Sequence, residues 1–215
     1  MRSVLFLVSG GGGNLKFIHQ AMTSGIINDV RLGVIGDRVC GALEYAENNN
    51  FFNKKVKYSR DESDELLLAI DQFSPDVIVT NFHKILGLDI VDLYRDKMIN
   101  LHYSLLPAFS GFIGVKPIEE ARNRGCKYIG PTCHRVSEEV DAGYILSQYA
   151  FSTPELFSDA VMQMFRTGCL VLLSGIEQTI GESFQRNTGG QEIDPYIGWR
   201  MGKFSDIFWD KLRNL

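Results

Sequence analysis

Short runs of apolar, β-forming residues alternate with segments of helical periodicity, and this alternation restricts the chain to one broad architecture. Residues 4–8, 30–35, 76–82 and 98–102 are such runs. A strand covered on both faces reads as a continuous apolar stretch rather than an alternating one. Helical patterns lie between them. One opens at Asn14 with Leu15, Ile18 and Met22 on one side, a short one covers 42–47, a longer one covers 61–73, and another covers 86–95. Ser74-Pro75 stops the third, because a proline drives the preceding residue out of the helical region. Strand and helix at this rhythm mean a parallel sheet with right-handed crossovers. The expected fold is α/β, an open, mostly parallel twisted sheet with helices on both faces.

The second half changes character. Residues 128–136 and 144–151 read as strands, 159–179 as one long helix, 181–195 as a polar, glycine-rich loop, and 204–212 as a short amphipathic helix. The expected division is a catalytic domain over 1–182 and a C-terminal extension over 183–215.

Bulk properties exclude several functions. With a net charge of −4 and no run of Lys or Arg, the chain has no footprint for a phosphate backbone, so no nucleic-acid partner is expected. The four cysteines form no C-x-x-C pair, and His134 beside Cys133 has no second ligand pair at zinc spacing. They read as reduced core thiols. The run at 4–8 is too short for a signal peptide, and nothing approaches the roughly 20 apolar residues of a membrane span. A soluble, cytoplasmic protein is expected, with no membrane partner.

Ser9-Gly10-Gly11-Gly12-Gly13-Asn14 joins the first strand to the first helix. Glycines let a backbone come close to a ligand, and a helix start presents free N–H groups to an anion. The spacing fails the dinucleotide pattern, because the third glycine it needs falls on Leu15 or Lys16, although Asp37 could pose as its ribose acid. The Gly-Lys-Ser/Thr of a P-loop is absent. A phosphate site at Gly11, Gly12, Gly13 and Asn14 is favoured over a bare turn, since four glycines cost chain entropy.

Asn100 and His102 lie two apart on a strand and so share a face where that strand runs out into Tyr103-Ser104-Leu105-Leu106-Pro107. Ligands in open α/β sheets bind beyond such strand ends. An amide can donate to a developing oxyanion, and an imidazole can donate and shuttle a proton. No activated Ser or Cys stands beside them, which suits attack by an external nucleophile on a carbonyl. Asp141, in the acidic turn 138–143, is the best candidate for a carboxylate that holds the imidazole.

These residues are also recognisable together. Asn100-Leu101-His102-Tyr103-Ser104-Leu105-Leu106-Pro107 resembles the N-x-H-x-S-L-L-P signature of the folate-dependent formyltransferases. Residues 130–143, with His134 and Asp141, resemble that family's later block. Residues 9–15 are similar to the phosphate loop of the branch that formylates glycinamide ribonucleotide in purine synthesis, and Phe82-His83-Lys84-Ile85-Leu86 to its folate-contacting segment. The resemblance implies a Rossmann-like formyltransferase fold and transfer of a formyl group from 10-formyltetrahydrofolate, as co-substrate, to a primary amine. Asn100 and His102 would stabilise the oxyanion, and Asp141 would pair with His102 and help relay a proton. Phe82, Lys84, Ile85 and Leu86, with Val136, Glu139 and Val140, would line the pterin pocket. No metal is implied, and the protein would be a monomer or homodimer.

The chain departs from the family in places. Tyr103 replaces the usual proline, Lys84 an arginine, and Ile113 a histidine of the branch. On the long helix, the acid that positions the glycinamide amine becomes Arg166 or its neighbour, so Arg166 is a candidate acceptor contact that attracts anions. Retention of the glycine loop favours glycinamide ribonucleotide as acceptor. Arg166 and the altered tail favour another amine, such as a nucleotide-linked amino sugar. A non-catalytic folate- or nucleotide-binding homologue is a third reading, and an NAD-linked oxidoreductase a fourth.

Overall fold

The computed structural model describes residues 1–184 and 204–215. The elements run β1 (Arg2–Val8), α1 (Gly13–Thr23), β2 (Val30–Gly36), α2 (Gly41–Asn48), β3 (Phe52–Lys55), α3 (Asp64–Phe73), β4 (Val77–Asn81), α4 (Leu88–Leu93), β5 (Met98–His102), α5 (Lys116–Asn123), β6 (Tyr128–Ile129), β7 (Thr132–Arg135), β8 (Ile145–Gln148), β9 (Phe151–Ser152), α6 (Phe157–Ile180) and α7 (Asp206–Arg213). Seven strands form one sheet in the order β3-β2-β1-β4-β5-β7-β8, parallel from β3 to β5 and antiparallel at β7 and β8.

Alternation along β1 builds both layers. Val4, Phe6 and Val8 join one core with α1 and α6, while Leu5 and Leu7 join a second core with α3 and α4. All five are at most 2% exposed, which is why the run carries no polar alternation. Strand order reverses between β1 and β4, so the loops that follow their C-terminal ends flank a crevice, the usual place for a ligand.

One expectation needs correction. Residues 128–136 are not one strand. Gly130-Pro131 divides them into β6, which pairs with β9 in a separate two-stranded sheet, and β7 in the main sheet. Proline has no N–H for a ladder. A Cβ on Gly130 would lie 1.7 Å from the Tyr149 carbonyl oxygen, so the backbones cross there too closely for any side chain. The 144–151 segment divides likewise into β8 and β9. Most of the expected loop at 181–195 lies outside the described residues.

Helix α6 is buried without a break from Thr167 to Glu177. It approaches the sheet through two glycines. A Cβ on Gly168 would sit 3.1 Å from the Tyr103 ring, and one on Gly175 would sit 2.3 Å from Cys133 Sγ. Tyr103 thus has room because position 168 has no side chain. Gly175→Ala is expected to cost about 1–3 kcal/mol by overpacking, offset by about 1 kcal/mol of helix propensity. Urea denaturation should show a net loss, and an unchanged or raised midpoint would mean that α6 does not press on β7 as described.

Candidate active site

Strand β5 sets the first two groups. Asn100 pairs in register with Thr80 of β4 on one side and His134 of β7 on the other. Thr80 Oγ1 donates to Asn100 Oδ1 at 3.3 Å, and this orients the amide so that Nδ2 lies 3.3 Å from His134 Nε2. His102 is buried, with Nδ1 3.4 Å from Asp141 Oδ2 and Nε2 3.0 Å from the Phe109 carbonyl, to which it donates. Both ring nitrogens therefore face oxygen acceptors, and both can donate only when the ring carries two protons.

Asp141 joins the pair from the turn between β7 and β8. Its φ of +58° is left-handed, a conformation that Asp adopts more readily than most residues. Oδ2 accepts from the Gly111 N–H at 2.8 Å, and Oδ1 lies 3.5 Å from His134 Nε2. Burial works against its charge. Hydrogen bonds from His134 and the Gly111 N–H, and the charges of His102 and His134, outweigh burial and hold the carboxyl below the usual aspartate range. The amide, imidazole and carboxylate thus meet at the C-terminal end of β5, as the spacing of two residues and the acidic turn suggest.

His134 belongs to this constellation too, although the sequence gives it no role beyond its place in the 130–143 block. It touches both Asn100 and Asp141, and its Nδ1 donates to the Arg135 carbonyl at 2.8 Å. The signal lies in the antiparallel register that sets β7 beside β5, which a linear reading does not reveal.

These groups open into a cleft of about 550 Å³. All seven residues expected to contact folate (Phe82, Lys84, Ile85, Leu86, Val136, Glu139 and Val140) line it. Ile85 and Val140 are 54% and 46% exposed, apolar groups left uncovered at a cleft wall, as suits a flat, hydrophobic ligand. Lys84 is already engaged. Its Nζ donates to the Tyr58 carbonyl at 2.5 Å and lies 4.0 Å from Asp37 Oδ2. Asp37 also pairs with Arg38 at 2.8 Å. Burial opposes its charge, but hydrogen bonds from Arg38 and Ser9 and the charges of Arg38 and Lys84 keep its pKa low.

The glycine loop divides its expected roles. Only Asn14 of the four residues reaches the cleft, and its buried Oδ1 lies 3.7 Å from Cys169 Sγ. Gly12 caps α1 with φ +71°, and a Cβ there would meet the Ala42 Cβ at 2.7 Å. A Cβ on Gly13 would meet the Phe165 ring at 3.0 Å. Gly10 and Gly11 have open space where a side chain would be. Turn geometry and packing therefore require Gly12, whereas Gly11 is free to face a ligand. Arg166 lies outside the cleft, with its guanidinium carbon 5.3 Å from the centroid of the Trp209 ring of α7.

The family model described as formyl transferase matches residues 2–170. The chain is 33% identical over 176 residues to a chloroplastic phosphoribosylglycinamide formyltransferase of Arabidopsis thaliana, covering 75% of this chain but 60% of that protein. It is 38% identical over 106 residues to the formyltetrahydrofolate deformylase of Haemophilus influenzae, covering 48% of this chain and 37% of the relative. Among solved structures, glycinamide ribonucleotide transformylase 1 from Symbiobacterium toebii superposes with a TM-score of 0.74 at 26% identity, covering 84% of this chain and 89% of that one. The chain spans less than two thirds of the length of the curated relatives named here.

Proposed function

The chain belongs to the formyl transferase family, and on that premise we propose that it transfers the formyl group of 10-formyltetrahydrofolate to the primary amine of glycinamide ribonucleotide. The observation that carries this reading is the convergence of Asn100, His102 and Asp141 at one mouth of the cleft, with Asp141 3.4 Å from His102. On this reading Asn100 Nδ2 and His102 Nε2 would donate to the formyl oxygen as charge develops on it. Such preorganised donors usually supply the largest part of carbonyl catalysis. His102 Nε2–H is held by the Phe109 carbonyl, so a bound formyl oxygen would replace one oxygen acceptor with another. Asp141 stays ionised beside the ring, holds its orientation and would help order the water that relays a proton from the attacking amine to the leaving folate nitrogen.

The cleft fits the proposed co-substrate. A pterin presents a flat, hydrophobic face with a hydrogen-bonding edge, and this cleft offers exposed apolar walls at Ile85 and Val140 with polar groups at Asn100, His102 and Asp141. Phe82, Leu86 and Val136 would pack the ring, and Lys84 and Glu139 would stand at its polar margin. The reduced folate supplies the activated formyl group; the protein supplies the position and the donors. No helix among the described residues is long and apolar enough to cross a membrane. A cytoplasmic protein acting as a monomer or homodimer, with a catalytic domain over 1–182 and an extension over 183–215, completes the reading.

The deformylase relatives make water the rival acceptor. Incubation with 10-formyltetrahydrofolate, with and without glycinamide ribonucleotide, separates the two. Formylated product that appears only with the amine supports transfer. Formate released at one rate in both mixtures would show a hydrolase instead.

The loop is open to a cleaner test than a bulky residue at Gly12, which would fail through its left-handed φ alone. Gly11→Ala should keep stability within about 0.5 kcal/mol and raise the acceptor's KM about tenfold, with the folate's KM unchanged. Gly12→Ala should lower the melting temperature. Equal rises in both KM values for Gly11→Ala would mean that the loop is not the acceptor's phosphate cradle.

A further inference from the structure

A second cavity, of about 220 Å³, lies across the glycine loop from the catalytic cleft. Gly13, Lys16, Arg166, Trp209, Leu212 and Arg213 are among its walls, drawn from α1, α6 and α7. Gly13 faces this cavity and its neighbour Asn14 faces the cleft, so one backbone step separates the two spaces. The cavity's charged walls are cationic, and α7 lies beyond the residues matched by the family model.

The three cations are not equivalent. Lys16 Nζ donates to the Leu215 carbonyl at 2.9 Å and lies over the Tyr45 ring. Arg213 is 3.7 Å from Asp210. Arg166, half-buried, has no carboxylate within 4.0 Å among the described residues and lies over the indole of Trp209. An arginine already placed over an aromatic ring loses little side-chain freedom when it binds an anion. Trp209 is itself fixed, 5% exposed and stacked on Phe17 at 5.8 Å and 16°.

We propose that this cavity is an anion subsite, in which Arg166, positioned by Trp209 of the C-terminal helix, grips the phosphate of the formyl acceptor from the side opposite the catalytic trio. The inference rests on the transferase reading above and adds to it. The acceptor would bridge the loop, with its amine at Asn100 and His102 and its anionic end against Arg166. A guanidinium offers paired donors to phosphate oxygens and repels an ammonium group. An acceptor is thereby selected for its phosphate, and water is not. Trp209 acts as a positioning residue through Arg166.

Two measurements decide the matter. In a Trp199→Phe background, Trp209 fluorescence reports the cavity during titration with inorganic phosphate. A saturable change is expected, with affinity at least tenfold weaker in Arg166→Gln and partly restored in Arg166→Lys. Absence of a saturable change, or equal affinity in all three proteins, overturns the subsite. In steady-state assays Arg166→Gln should raise the KM for glycinamide ribonucleotide at least tenfold, leave kcat within threefold and leave the KM for 10-formyltetrahydrofolate within twofold. A KM rise under threefold also overturns it. A wild-type protein that formylates no phosphate-bearing amine would sink the transferase reading instead, and the phosphate titration, which requires no turnover, would still decide whether the cavity binds anions.

Discussion

His102→Ala is expected to lower kcat about 1000-fold, with the dissociation constant for the folate changed only a few-fold. The magnitude follows from two losses. One donor to the developing oxyanion is removed, worth roughly 100- to 1000-fold, and a proton-transfer group goes with it, worth a similar factor. The two effects come from one ring and do not multiply in full. Folate affinity should hold because the exposed apolar walls, Ile85 and Val140, are untouched. The substitution also frees the Phe109 carbonyl and leaves Asp141 with the Gly111 N–H and His134. A residual rate within tenfold of wild type would show that the imidazole is not at the reacting centre. Folate binding that fell in parallel with kcat would show a collapsed cleft.

The comparison of transferase with hydrolase turns on what occupies the acceptor side. The matched deformylase segments span 92 to 112 residues, less than the stretch shared with the Arabidopsis transferase. A common carbonyl-activating constellation can serve either an amine or water. The feature that separates them must therefore recognise the rest of the acceptor. On the reading proposed above, the glycine loop and the cationic cavity beside it would provide such a feature, and neither is needed to bind water.

Much of this was legible before any coordinates. The four buried parallel strands β1, β2, β4 and β5 reveal themselves because burial on both faces demands unbroken apolar runs. Asn100 and His102 share a face because strand geometry has period two. Other parts carry weak local signals. Phe52–Lys55 forms the edge strand β3 with three polar residues, exposed on one side and so free of the apolar pattern. Helix α5 is short and polar, with proline in its first turn. The contact between Asp141 and His102 spans distant positions, and only the pairing of β7 with β5 brings His134 into the group. The partnership of Arg166 with Trp209 depends on where α7 docks, against Phe17 of α1, which no spacing in the chain encodes.

Asp141→Asn should also cost about 1000-fold in kcat, roughly 4 kcal/mol of transition-state stabilisation, and it isolates charge from shape. Asn tolerates the left-handed backbone that this position requires. Its carbonyl can still accept from Gly111 and His102, so the loop and ring keep their places. What disappears is the negative charge that holds the His102 ring and helps to relay the proton. Stability should respond to pH with a definite sign. The folded carboxyl titrates below its unfolded value, so its contribution is present above the ordinary aspartate pKa of about 3.9 and is lost as pH falls through the folded value. Wild type should therefore unfold at higher urea than the variant near neutral pH, and the gap should close in acid. By the same reasoning, any acid limb of the wild-type pH–rate profile that lies well above pH about 4 belongs to a group other than Asp141. A variant that matched wild type in stability at neutral pH, or retained most of its turnover, would mean that the carboxylate neither anchors His102 nor serves the proton transfer.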